Sequence, residues 1–262
     1  MPYATHDGVR IYYEREGNGP SVVLLSGLAE SLDSWRDFGF VAALRDAYDL
    51  ILIDPRGHGR SDKPHAPVAY TFDKRVADVV AVLDDAGIEQ AVYWGYSMGG
   101  RIGFASLRYT PTRFRAVIIG GNHPYAGDAQ QARQQADSFA AGMAEFVARV
   151  EQFFGATPPG MRDRLLANDP DALAASSLAS GDAPSFAADL AHSRVPVLLY
   201  VGDQDQPVHD LAAQAVAGLT GVTFVRLPGL SHRAAMVRSD MIVPHVRAFL
   251  AGLAGTPAPR DQ

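Results

Sequence analysis

Residues 91–104 restrict the fold more than any other part of the chain. Ala91-Val92-Tyr93-Trp94 reads as a short buried strand, Gly95-Tyr96-Ser97-Met98-Gly99 as a tight turn, and Gly100-Arg101-Ile102-Gly103-Phe104 as the start of a helix. A serine centred in G-x-S-x-G between a strand and a helix sits on a sharp corner with its hydroxyl exposed, the arrangement called a nucleophile elbow. Cβ atoms at the flanking glycine positions would collide with neighbouring backbone, and the turn needs unusual dihedrals. The pattern alone is common by chance, so its weight comes from the strand before it and the helical spacing after it.

The rest of the chain repeats that alternation. Residues 9–16 alternate in polarity between Gly8 and Gly17, as a half-exposed antiparallel strand does. Residues 21–25 and 50–53 are continuous apolar runs, the signature of strands covered on both faces. Residues 114–120, 195–201 and 222–227 supply three more strands. Helical spacing predicts helices over 34–47 (Trp35, Phe38, Val41, Leu44), 71–86 and 240–251, and 255–262 reads as a frayed tail. Strands alternating with helices imply an α/β fold with a mostly parallel, doubly wound sheet.

Residues 122–193 break the rhythm. They carry no strand signal, only alanine-rich helical material punctuated by Gly155, Pro158, Pro159, Pro170 and Pro184. Phe139, Met143, Phe146, Val150 and Phe153 fall three and four apart, a stripe that packs a helix on its neighbours. An insertion at the C-terminal end of a strand sits where such sheets bind ligands. The expected organisation is therefore a core formed by 1–121 and 194–262, with 122–193 as a helical lid.

With 262 residues, a net charge of −6, mixed charges and no basic stripe, the chain is not expected to bind nucleic acid or an anionic membrane. The absence of cysteine excludes disulfides, thiolate metal sites and a cysteine nucleophile. No run approaches 18 apolar residues and the N-terminal residues lack a signal core, so the expectation is a soluble cytoplasmic protein. Oligomeric state is open.

A serine hydroxyl is a weak nucleophile until a base takes its proton and a third group fixes that base's tautomer. His232 lies in the loop directly after the last strand, where it would share the sheet edge with the elbow. His245 falls inside the final helix and reads as structural; His123 and His192 border the helical insertion and are candidates to line a pocket. The acid belongs at another strand end, where Asp203 and Asp205 both qualify and spacing does not choose between them. The oxyanion of an attacked carbonyl needs preorganised donors: the Met98 N–H at the start of the elbow helix, and the Leu28 N–H in the loop after residues 21–25.

Four stretches together resemble the α/β-hydrolase fold superfamily: Asp54-Pro55-Arg56-Gly57-His58-Gly59-Arg60-Ser61, Gly95-Tyr96-Ser97-Met98-Gly99-Gly100, Gly202-Asp203-Gln204-Asp205 and Pro228-Gly229-Leu230-Ser231-His232. The resemblance implies that Asp205 is the triad acid and that Arg56 and His58 belong to a structural turn. It implies no cofactor and no metal. Relatives usually carry His-Gly where this chain has Ser26-Gly27, which leaves the backbone donor but changes the pocket floor. A serine at the nucleophile position speaks against haloalkane dehalogenases and epoxide hydrolases. The elbow is also similar to those of the lyase MenH, enol-lactonases and cofactor-free haloperoxidases. In MenH the arginine after the elbow binds substrate carboxylates, a role open to Arg101, for which snorkelling from the helix is the simpler account.

The leading expectation is a serine hydrolase of a small carboxylic ester or lactone, acting through an acyl-enzyme on Ser97. The alternatives are a C–C hydrolase or MenH-like lyase using the triad as a base, or a small-molecule receptor. Ser26, Trp94, Tyr96, Arg101, His123, Tyr125, Phe139 and Met143 are the candidate pocket walls.

Overall fold

The computed structural model describes residues 3–154, 157 and 159–254; the tail at 255–262 and the Gly155 and Pro158 breaks lie outside them. Eight strands, β1 (Tyr3–His6), β2 (Val9–Gly17), β3 (Ser21–Leu25), β4 (Asp49–Ile53), β5 (Ala91–Tyr96), β6 (Phe114–Gly120), β7 (Val197–Gly202) and β8 (Val222–Leu227), form one sheet. Their order is β1-β2-β4-β3-β5-β6-β7-β8, with β2 antiparallel to both of its neighbours, β1 and β4, and every other pairing parallel.

The apolar runs read in the sequence are the central strands, and their alternation fills two cores. Val23, Leu25, Ile51, Ile53, Tyr93, Val117, Ile119 and Leu199 face one side, against α3 (Phe72–Asp85) and α4 (Met98–Tyr109). Val22, Leu24, Leu50, Leu52, Trp94, Ile118, Leu198 and Tyr200 face the other, against α1 (Asp33–Asp37) and α2 (Phe40–Leu44). Period-two side-chain direction in a sheet sandwiched by helices requires this division.

Helices α5 (Ala129–Ala140), α6 (Met143–Phe154), α7 (Pro159–Leu166), α8 (Pro170–Gly181) and α9 (Ala187–His192) occupy the segment between β6 and β7. After β7 and β8 follow α10 (Val208–Val216), α11 (His232–Met236) and α12 (Ser239–Ala254). The insertion has its own small core of Phe139, Met143, Val147, Met161, Leu165 and Leu173, closed by Leu28, Phe38 and Met236 from the sheet side.

Three expectations need correction. The helix expected over 34–47 is two short helices, because Gly39 at φ 82° ends the first and turns the chain into the second. The Phe139–Val150 stripe spans two helices, α5 and α6, with the chain breaking at Gly142; the Phe153 side chain is outside the described residues. The sequence reading also missed β1. It pairs with β2 through a two-residue Asp7-Gly8 turn with both residues at positive φ, the hairpin signal that Asp-Gly carries.

Residues 54–61 form the scaffold turn that the resemblance implied. The Arg56 guanidinium, 2% exposed, holds Asp78 of α3 with two hydrogen bonds and donates to the Ala69 carbonyl. Both Asp54 oxygens accept backbone N–H groups, from Leu32 at 2.8 Å and Arg60 at 2.9 Å.

His58 is fully buried, and burial lowers its pKa to about 4, against which the hydrogen bond to the Arg56 carbonyl works. The folded pKa lies below the unfolded value near 6.5, so the neutral ring's stabilisation is present above that value and is lost as pH falls toward 4. Linkage sets the loss at about 2 kcal/mol by pH 5, or roughly 4–8 °C in melting temperature. Melting curves at pH 7 and pH 5 should therefore converge in a His58→Asn variant relative to the parent. Equal shifts in both proteins would rule out His58 as the source.

Candidate active site

The elbow folds as it does because two glycines admit neighbouring backbone. A Cβ on Gly95 would stand 2.2 Å from the Gly99 carbonyl oxygen, and one on Gly99 would stand 2.3 Å from the Leu25 carbonyl oxygen. Ser97 itself sits at φ 53°, ψ −112°, a strained conformation for a residue with a side chain. Hydrogen bonds to the Ser97 backbone hold that strain in place. The Ser97 N–H donates to the Gly120 carbonyl at 2.8 Å, and Asn122 Nδ2 donates to the Ser97 carbonyl at 2.9 Å. Asn122 was not singled out from the sequence. It lies just beyond the end of β6, and only the parallel pairing of β6 with β5 puts it beside the elbow.

Three side chains far apart in sequence meet at this corner. His232 Nε2 lies 2.9 Å from Ser97 Oγ, and His232 Nδ1 lies 2.7 Å from Asp205 Oδ2. Asp205 is buried at 7% exposure. These distances fit an imidazole whose Nδ1–H donates to the carboxylate and whose Nε2 accepts from the serine hydroxyl. Tyr96 Oη donates to the His232 carbonyl at 2.6 Å, tying the histidine loop to the elbow strand.

The two candidate aspartates have different partners: Asp205 meets the His232 ring and Asp203 does not. Asp203 pairs with Arg226 of β8 and accepts the Gly229 N–H at 2.8 Å. The Arg226 guanidinium holds its carboxyl below the usual carboxylate range. Asp203 thus braces the loop that carries His232.

Met98 is the first residue of α4, so its N–H has no intrahelical partner. Leu28 follows Gly27, whose Cα approaches Ser97 so closely that an added Cβ would lie 3.3 Å from the serine Cβ. The same loop is shaped by Glu30 N–H donating to the Gly27 carbonyl and Gly99 N–H to the Ser26 carbonyl. Burial pushes the Glu30 carboxyl up, and the Ser34 hydroxyl donates to it.

A narrow cleft opens beside this corner, no larger than about 270 Å³ with its solvent-open part, lined by Ser26, Gly27, Ser34, Trp35, Phe38, Phe40, Tyr96, Tyr200 and Met236. A larger depression of about 690 Å³, its solvent-open part included, lies between the 29–33 loop, residues 54–60 and α7; none of Ser97, Asp205 or His232 lines either hollow, but the walls of the smaller one include Gly27 and Tyr96, which flank Ser97. The smaller cleft adjoins the chemistry.

Of the expected walls, Ser26 and Tyr96 line that cleft. The others do not. Trp94 is fully buried one layer behind it, edge-on to Trp35 and Phe40, with Nε1 donating to Tyr200 Oη at 3.0 Å. Phe139 and Met143 are in the insertion core, behind Phe38 and Met236. Tyr125 stacks near His123, ring centroids 6.0 Å apart. The His123 pKa is lowered to about 4, by burial first and the Arg101 charge second. His192 is exposed, its Nδ1 against the Ala188 carbonyl. Trp35 and Phe38 were read only as helix-packing residues and Phe40 was not singled out; their place in the cleft follows from the Gly39 bend.

Arg101 neither snorkels nor reaches the cleft. It is 7% exposed and donates to the His123 carbonyl at 2.6 Å and the Pro184 carbonyl at 3.2 Å, with its guanidinium over the Phe186 ring. Burial lowers its pKa to about 10. It fastens the elbow helix to both ends of the insertion. Replacing it by methionine should lower the melting temperature and leave KM for a small ester nearly unchanged. A steep rise in KM at unchanged stability would instead restore the carboxylate-binding role.

His65, Asp169 and Asp171 present ligand atoms within 4.8 Å of one another at the N-terminus of α8. They lie at the surface, where His65 Nε2 meets the α8 cap residue Asp169 at 2.9 Å. No helix among the described residues is long and apolar enough to cross a membrane.

Residues 20–179, more than half of the chain, match the family model described as alpha/beta hydrolase fold. The chain belongs to the α/β-hydrolase fold family. Among solved structures, this α/β-hydrolase is similar to the enol-lactonase of Burkholderia xenovorans LB400, at 27% identity and a TM-score of 0.82, covering 95% of this chain and 100% of the other. A 122-residue segment, 46% of this chain, is 36% identical to 3-oxoadipate enol-lactonase 2 of Acinetobacter baylyi and covers 44% of that protein. A 110-residue segment, 42% of this chain, is 42% identical to epoxide hydrolase B of Mycobacterium tuberculosis and covers 30% of it. The chain thus matches less than half the length of these curated relatives.

Proposed function

We propose that this protein is a serine hydrolase that cleaves a small carboxylic ester or lactone through an acyl-enzyme on Ser97. The observation that carries the reading is the continuous relay Asp205–His232–Ser97, at 2.7 and 2.9 Å. Ser97 Oγ attacks the carbonyl carbon while His232 Nε2 takes its proton, and Asp205 keeps Nδ1–H oriented and stabilises the imidazolium. The Met98 and Leu28 N–H groups receive the oxyanion. As the tetrahedral adduct collapses, His232 returns the proton to the leaving alkoxide, which stays tethered to the acyl group if the substrate is a lactone. Water, deprotonated by the same nitrogen, then attacks the acyl carbonyl and releases Ser97.

The similarity to an epoxide hydrolase does not change this reading. Serine attack on an epoxide would form an alkyl ether, which the same base and water have no ready route to hydrolyse, whereas an acyl-serine is readily hydrolysed. Base catalysis in the manner of MenH would need a cation for the substrate carboxylate, and Arg101 is occupied by two carbonyls. Helices α5 to α9 serve in this reading as a lid, since Phe38 and Met236 of the cleft pack against their core. Residues 1–121 and 194–262 then form the catalytic core.

The test is direct. A fluorophosphonate probe should label Ser97 stoichiometrically, and p-nitrophenyl esters of graded chain length should give a burst of one nitrophenolate per chain where deacylation is slow. A receptor would bind ligand without labelling or turnover, and a base-only catalyst would give no burst.

A further inference from the structure

The loop that carries the Leu28 N–H is pinned by its carbonyls. The Ser26 carbonyl accepts from the Gly99 N–H at 3.2 Å, the Gly27 carbonyl from the Glu30 N–H at 3.3 Å, and the Ala29 carbonyl from Asn168 Nδ2 at 2.9 Å. The first two anchors are local to the elbow and its loop. The third reaches across 139 residues from the turn between α7 and α8, in the helical insertion. The orientation of that side-chain amide is fixed by its surroundings. Its nitrogen lies against three carbonyl oxygens, that of Ala29 and those of Arg164 and Leu165 at 3.3 Å in the last turn of α7, so the NH₂ group faces them.

Peptide planarity links these bonds into a chain. The Ala29 carbonyl and the Glu30 N–H belong to one planar peptide group, and the Gly27 carbonyl and the Leu28 N–H to another. Asn168 therefore donates to the first group, which donates to the second, whose own N–H, that of Leu28, has no acceptor among the described residues. Three donors run head to tail toward the serine corner. Each bond fixes the next plane and polarises it in the same sense, which favours negative charge at the free end. The backbone would not hold this shape unaided. Ala29, 5% exposed, sits at φ 65°, in the left-handed region that disfavours a residue with a Cβ.

We propose that Asn168 is a positioning residue, through which the insertion orients and polarises the Leu28 N–H for the oxyanion. This rests on the acyl-enzyme reading above and adds to it how one donor of the hole is held. Asn168 acts on the transition state, where the oxygen carries charge, and only weakly on the bound ester.

The experiment follows p-nitrophenyl acetate turnover in the parent, Asn168→Ala and Asn168→Asp, each normalised to the sites that a fluorophosphonate labels. Beside it stands the inhibition constant of an aryl trifluoromethyl ketone, which takes up the serine oxygen and presents an oxyanion to the hole. In both variants kcat/KM per labelled site should fall about tenfold, and the inhibition constant should rise by about the same factor. The inhibition constant does not depend on how much of the protein is folded, so a purely structural fastening would leave it unmoved. Asn168 is only half-buried, and failure of one variant to fold leaves the other as the test. An unmoved inhibition constant in a parent that is labelled and turns the ester over would overturn the role of Asn168 alone, whatever happens to the melting temperature. Absence of both labelling and turnover in the parent would overturn the hydrolase reading and this inference with it.

Discussion

Ser97→Ala is expected to lower kcat on an activated ester by roughly 10⁴- to 10⁶-fold while the protein stays folded. The second half of that statement gives the first its meaning. The bonds that hold the strained corner, from the Ser97 N–H to Gly120 and from the Asn122 side-chain amide to the Ser97 carbonyl, use only backbone atoms of residue 97 and survive the substitution. Alanine inherits the same φ of 53° at a comparable cost, so the melting temperature should stay close to the parent's. What disappears is the oxygen 2.9 Å from His232 Nε2, and with it the nucleophile. Residual rate would come from the oxyanion donors and binding alone. A variant that kept parental turnover, measured on protein free of any contaminating esterase, would end the acyl-enzyme reading.

The second large effect separates two neighbouring carboxylates. Asp205→Asn should drop kcat by roughly 10⁴-fold, because an amide in that place no longer enforces the Nδ1–H tautomer or stabilises the imidazolium that forms. Asp203→Asn should keep most of the turnover. Its carboxylate touches Arg226 and the Gly229 N–H and has no contact with the imidazole, so its loss loosens the loop without removing charge from the relay. The informative measurement is the pair of variants side by side on one ester, with melting curves for both. Similar losses of kcat at similar stability would mean that the His232 ring is oriented by the loop as a whole rather than by Asp205.

Much of this architecture was legible before any coordinates. Central strands of a parallel sheet are apolar on both faces, so Val22-Val23-Leu24-Leu25 and Leu50-Ile51-Leu52-Ile53 declare themselves as runs. The elbow declares itself because packing at Gly95 and Gly99 admits no side chain. Ser97 and His232 followed from chain order and position at strand ends. The antiparallel β1 was missed although Asp7-Gly8 advertised its turn, because attention to long apolar runs passes over a four-residue edge strand.

Sequence by itself thus determined the central strands and the elbow and singled out Ser97 and His232, since each is written in local periodicity, local steric demand or position at a strand end. Tertiary structure alone decided what surrounds them. It turned Asp203 to Arg226 and the Gly229 N–H, put Trp94, Phe139 and Met143 behind the cleft, turned Arg101 to carbonyls of His123 and Pro184, and brought Trp35 to its wall. The physical reason is that a side chain's direction at a loop or helix bend depends on which distant elements pack against it. Short-range spacing carries no record of those partners.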